Sequence, residues 1–391
     1  PIGTFSPIKI QYSKDNFVAN FVDIATVANS ASGVQNDWTW LSGIPNDLSD
    51  TIKLRVSHEA DSDVLATTTN NIKFVGSLDV TAPESLGIIW NVGDASKIIS
   101  WDANGTVTNV NIYYRTTFTG GDNTIVLNDP SHLNGGNSYT WTPSGGIPDE
   151  KSETCYVRVV DSAHPGDVSS ISDQTKPFSI RPVISATLPA LGQNIEVGST
   201  NNTISWNINS AKVTKVDLYY STLGIGGPFD QLISTGVITT PGANTLATWG
   251  PINNTISGDV VIKVRDKSDD IINDNIFGYS PSFDIIGKIT VNEPHLNENI
   301  LGGGAKTISW TKNGTLGNVK LYYFHDAAYD YINTVDSNTF SSFDWTPVPS
   351  QIENNSTIKV IQATTEGTED EGKDLSDTFN IIGNFTLTEP P

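Results

Sequence analysis

Carboxylates are the side chains in this sequence most ready to do chemistry. Glu59, Asp61 and Asp63 fall in one loop, Asp266, Asp269, Asp270 and Asp274 in a second, and Glu366, Glu369, Asp370 and Glu371 in a third. Closely spaced carboxylates with intervening carbonyls are what a calcium ion takes up, at about six to eight oxygens. The corresponding loop between them holds only Asp161 and Asp167, and no segment fits the EF-hand pattern. Glu84, Glu293 and Glu389 sit near recurring prolines in differing registers. Solvated acidic loops are therefore the preferred reading. No cofactor is expected, calcium being the one left open.

Other reactive types are scattered. His58, His132, His164, His295 and His325 occupy non-equivalent places, and no GxSxG, HExxH, Walker or Rossmann pattern occurs. Gly302, Gly303 and Gly304 precede a strand pattern and lack the helix that would bind phosphate. Cys155, the only cysteine, takes an inward strand position filled elsewhere by Ile52 and Val260, so it reads as a small buried hydrophobe. No catalytic residue is identified, and an enzyme is not expected.

Trp101, Trp206 and Trp310 suit either sugar stacking or a core, and their regular recurrence favours the core. Trp40, Trp141, Trp249 and Trp345 form a second such set. Trp38 and Trp90 fall outside both and are the better sugar-contact candidates. Asn-x-Ser/Thr acceptors occur at Asn104, Asn201, Asn253, Asn313, Asn354, Asn355 and Asn384. Asn104 and Asn313 share an Asn-Gly-Thr turn expected to be exposed, and turn formation is the default reading of such sites.

The elements that must position these residues recur with a period near 105. KIISWDANGTVTNVNIYYR (97–115) returns as TISWNINSAKVTKVDLYYS (203–221) and TISWTKNGTLGNVKLYYF (307–324). Ile8, Ile10 and Tyr12 match Val110, Ile112 and Tyr114, then Val216, Leu218 and Tyr220, then Val319, Leu321 and Tyr323. The residues between are Lys9, Gln11, Asn111, Asp217 and Lys320, an alternation of period two that marks a strand with one face inward. Val/Ile/Tyr/Thr/Trp-rich runs bounded by Gly, Pro, Asn and Asp fill each repeat, and no helical period appears. Prolines 83, 189, 294 and 390 mark the same place in successive repeats.

The expected organisation is 1–76, a partial domain without its first strands; 77–181, 182–286 and 287–382, three full domains; and 383–391, the opening strand of a further repeat. Connections of one or two residues, such as Gly76, Gly287 and Arg181-Pro182, predict a stiff array. The absence of methionine and the start at Pro1 lead us to expect a piece of a longer protein.

With 43 acidic against 22 basic residues the formal charge is −21, which disfavours nucleic acid and anionic lipid as partners and suits cations. No apolar run approaches the length of a membrane span. The low charged fraction and the abundance of Asn, Thr, Ser and Gly give the chain an extracellular character.

The order ISW, NVNIYYR, SYTWTPSGGIP, TCYVRVVD, PFSI resembles a fibronectin type III or related immunoglobulin-like domain. It resembles more specifically the tandem repeats of large prokaryotic cell-surface proteins of S-layer or surface-filament type. The resemblance implies an all-β, rod-like tandem array of immunoglobulin-like β-sandwiches at the cell surface. Implied partners are other copies of the chain in a lattice or filament, with cell-surface glycans as the adhesin or carbohydrate-binding alternative.

Overall fold

A computed structural model describes residues 7–28, 35–41, 43–130, 135–163, 172–268, 274–363 and 373–385. Among them the regular structure is β-strand, with no α-helix, as the period-two alternation requires. The chain divides into two compact units, 1–181 and 182–391.

The first unit opens with one sheet, ordered Val22–Val27, Ile8–Ser13, Ser49–His58, Leu65–Thr67, with Ile72–Phe74 also paired to the long third strand. Its inward side carries a small cluster of Tyr12, Ile52 and Phe74. A complete sandwich follows. Gly135–Trp141, Lys97–Asn104 and Ser77–Ala82 make one sheet, and Asn123–Pro130, Asn109–Arg115, Ser152–Asp161, Phe178–Arg181 and Ile89–Asn91 the other. The apolar faces of the two close on a core that holds Trp101, Ile112, Val157 and Ile180.

The second unit contains this pattern twice. Ile184–Leu188, Asn202–Ile208 and Gly242–Trp249 oppose Asn194–Glu196, Phe283–Ile286, Ser257–Asp266, Lys215–Ser221 and Gln231–Ile238. Lys288–Glu293, Lys306–Asn313 and Ser342–Trp345 oppose Asn299–Leu301, Phe379–Ile382, Glu353–Gln362, Asn318–His325 and Ala328–Asp336. Trp206 and Trp310 fill the centres of the two cores.

One topological device recurs in all three full sandwiches. After the opening strand the chain turns at Pro83, Pro189 or Pro294, each preceded by a cis peptide bond. It then crosses to the other sheet, where Ile89–Asn91, Asn194–Glu196 or Asn299–Leu301 runs parallel to the closing strand. The recurring prolines thus mark where one strand is shared between two sheets.

The strand register confirms the place of Cys155. It pairs with Phe178 as Val260 pairs with Phe283 and Ser356 with Phe379, while Ile52 pairs with Ile72. Its thiol is fully buried, and burial pushes its pKa up. Because only the thiolate is reactive, Cys155 is expected to resist a disulfide-exchange reagent at pH 8 in the native chain and to react stoichiometrically once denatured. Rapid native labelling would contradict the placement.

The alternation fails at one instructive point. Gln11, Asn111 and Asp217 occupy outward positions expected to face water, yet all three are buried. Each lies opposite an irregularity in the neighbouring edge strand. Asn111 Oδ1 accepts the N–H of Asn128 at 3.0 Å, and Asp217 Oδ1 accepts from Gly236 N at 2.9 Å and Thr235 Oγ1 at 2.7 Å. Gln11 Nε2 donates to Asp23 at 2.5 Å. A bulge frees backbone groups from the ladder, and at Asn111 and Asp217 these side chains take them up.

Asp217 also faces Lys267 and Arg265, each at 3.6 Å. Burial raises its pKa, but the bonds from Thr235 and Gly236 and the two cations outweigh it, and the net shift is downward. A folded-state pKa below the unfolded value of about 3.9 contributes stability that is present above that value and is lost as pH falls toward the folded pKa. Asp217→Asn is expected to cost about 2 kcal/mol at pH 7. It should also lose less between pH 5 and pH 2 than the parent, as denaturant melts of both will show. Equal acid sensitivity would remove Asp217 from that role.

Candidate functional site

The structure sorts the residues singled out by sequence. Trp101, Trp206, Trp310, Trp141, Trp249 and Trp345 are all buried core residues. Trp90 is a correction to the expectation of sugar contact. It is 5% exposed, with its ring 4.3 Å from Phe178 and 6.0 Å from Trp141, because it sits on the short strand that switches sheets. Trp38, at 38% exposed, keeps an open face beside Trp40.

The acidic loops are largely engaged where they are described. Glu59 pairs with Lys9 at 3.9 Å, and Asp61 accepts the N–H of Asp63 at 3.1 Å. Asp161 accepts the N–H of Ala163, buried Asp266 bonds Ser268, and Asp274 pairs with Arg265 at 2.7 Å. Glu84 pairs with Lys176 and Glu293 with Lys306. Asp167, Asp269, Asp270, Glu366, Glu369, Asp370, Glu371, Glu389, His132 and His164 lie outside the described residues. Among the described residues the donors that converge as a metal would need are His325, Asp326 and Glu353, in none of the acidic loops.

The geometry that recurs is at the junction between successive sandwiches inside each unit. In the first unit, the Asn104-Gly105-Thr106 turn reaches back to the preceding sheet. Thr106 Oγ1 donates to Asn46 Oδ1 at 2.9 Å, and Leu48 packs against the core that contains Val107. Gly105 has φ +91°, and a Cβ on it would lie 3.1 Å from Gly76 Cα and 3.2 Å from Leu48 Cδ2. A Cβ on Gly76 would lie 2.7 Å from the Asn104 carbonyl and 2.9 Å from Val107 Cγ2.

The second unit builds the same contact from different residues. Asn254 Nδ2 donates to Thr315 Oγ1 at 2.6 Å, and Thr315 N donates to Asn254 Oδ1 at 2.9 Å. Ile256 packs against both neighbouring cores. Gly314 has φ +95°, with Ile256 Cδ1 3.1 Å and Val197 Cγ2 3.4 Å from where its Cβ would be. A Cβ on Gly287 would collide with the Leu316 side chain, and Lys288 pairs with Glu196 at 2.9 Å. Asn46, Leu48, Gly76, Gly105, Thr106 and Val107 thus find their counterparts in Asn254, Ile256, Gly287, Gly314, Thr315 and Leu316.

The two Asn-Gly-Thr turns are accordingly docking elements. Asn104 and Asn313 are exposed as expected, but the threonine of each triplet is held by an asparagine of the preceding repeat. On the last sandwich, Ile352 stands where Leu48 and Ile256 stand and is 65% exposed; Phe385, at the place of Leu78 and Ile289, is 98% exposed.

The paired sheets, the shared opening strand and the successive separate cores define a tandem array of immunoglobulin-like, fibronectin type III-like β-sandwiches. No protein-family model and no curated protein matches the sequence. Among solved structures, the chain is similar to the fibronectin(III)-like modules of Clostridium thermocellum CbhA, at 16% identity over 53% of this chain and 100% of that one, with TM-score 0.19. It is also similar to a three-domain immunoglobulin segment of titin, at 9% identity over 80% and 99% with TM-score 0.30. Sidekick-1 immunoglobulin domains 1–4 align at 9% identity over 96% and 91% with TM-score 0.28.

Proposed function

We propose that the chain is a non-catalytic structural segment of an extracellular, cell-surface protein of the S-layer or surface-filament kind. Its folding units are 1–76, 77–181, 182–286 and 287–382, and 383–391 opens a further repeat. A following sandwich with the junction's turn would cover Ile352 and Phe385. Other copies of the chain are its partners in the lattice or filament.

The observation that carries this reading is the recurrent junction. A connection of one or two residues, a hydrogen-bonded Asn–Thr pair and an apolar peg leave a neighbouring sandwich little freedom, which is what a spacing element needs. The test is hydrogen exchange on the whole chain beside a Leu48→Asp/Ile256→Asp variant, together with immunogold labelling of native cells. The variant should lose protection at 105–107 and 314–316, where the parent is docked, and label should decorate the surface. Turns equally protected in parent and variant, or label confined to the cell interior, would overturn the proposal.

One observation favours glycan adhesion as a second reading. Tyr329 and Tyr331 are exposed on the last sandwich, with the Lys359 ammonium 3.7 Å over Tyr329 and 4.7 Å over Tyr322. Arg55 and Lys263 lie over aromatic rings at the same strand position in other repeats. Exposed rings stack on sugars. A glycan array probed with the parent, Tyr329→Ala/Tyr331→Ala and Trp38→Ala decides between adhesion and a pure spacer.

A further inference from the structure

His325 ends the strand Asn318–His325, and the chain turns at once into Ala328–Asp336 through Asp326 and Ala327, both left-handed at φ 45° and 61°. The turn brings the Asp326 carboxylate beside the imidazole, with Oδ2 3.7 Å from Nδ1. Glu353, at the start of the neighbouring strand, adds a second carboxylate, and one donor atom from each of the three residues lies within 4.8 Å of the others. The imidazole is held in place on two sides. It stacks on Tyr323 at 4.5 Å and 19°, and its Nε2 bonds Asp330 Oδ2 at 2.7 Å.

A neutral imidazole has one donor nitrogen and one acceptor. A carboxylate can only accept, so Asp330 draws the proton to Nε2 and leaves the lone pair on Nδ1. That nitrogen is buried and has no hydrogen-bond partner. It faces the Asp326 carboxylate, which Gln351 Nε2 links to Glu353 by bonds of 3.2 Å and 3.0 Å. A lone pair set against negative charge calls for a cation.

We propose that His325 Nδ1, Asp326 and Glu353 bind a divalent first-row transition ion of the zinc class, with Asp330 as the carboxylate that orients the imidazole. A nitrogen donor selects against calcium and magnesium, which prefer all-oxygen shells. One nitrogen and two carboxylates leave a fourth position open, the ligand count of an open zinc site. The carboxylate on the distal nitrogen is the usual companion of a metal-bound histidine. The chain's net charge of −21 raises the local concentration of any cation.

The competitor for the site is a proton, which would make His325 an imidazolium between Asp330 and Asp326. Metal binding at Nδ1 therefore releases any proton held there. The experiment titrates the whole chain with Co²⁺ and Zn²⁺ at pH 7.5, following the cobalt absorption, proton release and the His325 ring resonances. The parent should bind one equivalent through His325, with its ring neutral and metal-shifted. His325→Ala should abolish that equivalent, and Glu353→Gln should weaken it at least about tenfold. Asp330→Asn should weaken it by about 10- to 100-fold with no loss of thermal stability comparable to that of His325→Ala. His295→Ala, away from the cluster, should leave it unchanged. Binding that survives His325→Ala, or a ring that stays doubly protonated in excess zinc, overturns the proposal.

Discussion

Trp310→Ala should destabilise the last sandwich by about 3 to 5 kcal/mol and leave the sandwich of residues 77–181 untouched. Trp310 is fully buried in the middle strand of its three-stranded sheet, in a core that also holds Ile289, Leu321, Trp345 and Phe379. Its indole Nε1 has no hydrogen-bond partner, so truncation sacrifices packing alone. Facing strands of two sheets cannot collapse into the void without breaking their ladders, which puts the cost near the top of the large-to-small range. A domain of about 100 residues is stable by roughly 5 to 15 kcal/mol, so the variant sandwich should populate open states that the parent does not. Hydrogen exchange is the measurement. Protection should fall across 306–362 and stay at parental level across 97–161. A uniform loss along the whole chain would mean that the cores unfold as one and that the proposed folding units are wrong.

What the sequence disclosed and what it hid follow from the range of the forces involved. Strand alternation is a local signal carried by neighbours two apart, and Val110, Ile112 and Tyr114 report their burial within one short stretch. Cys155 could be placed because its repeat equivalents are apolar. The sheet-switching strands are only three residues long, too short for any period, and Trp90 was misjudged because its neighbours give no phase. Asp217 looked like a solvated residue because a bulge in Gln231–Ile238, out of reach of local pattern, is what buries it.

The junction lay between these extremes. The Asn-Gly-Thr turn was visible, but its partner stands about 60 residues away, at Asn46 and Asn254. A signal did exist. Asn46-Asp47-Leu48 precedes the repeat with Asn104-Gly105-Thr106, and Asn254-Thr255-Ile256 precedes the repeat with Asn313-Gly314-Thr315. In both units the two motifs occur together where the contact is made. His325 was hidden for a related reason: its donors come from a hairpin turn and a strand that begins 28 residues later.

The junction itself is open to a test that separates backbone strain from docking. Gly314→Val should cost about 2 to 5 kcal/mol, since a β-branched residue in the left-handed region costs about 1 to 2 and overpacking a further 1 to 3. Gly303 supplies the reference, because it has φ +78° in the same sandwich and nothing within 4 Å of where its Cβ would be. Gly303→Val therefore pays the strain with no clash. The excess of Gly314→Val over Gly303→Val, expected at about 1 to 3 kcal/mol, measures contact with Ile256, Asn254 and Val197 of the preceding sandwich. Chemical denaturation of both variants gives the difference, and an Ile256→Ala background should shrink it by relieving the closest contact. If the two glycines respond alike, and the Ile256→Ala background changes neither, the turn does not dock. The recurring Asn–Thr pair would then be two surface hydrogen bonds with no hold on the neighbouring sandwich, and the structural reading of the chain would lose the contact on which it depends.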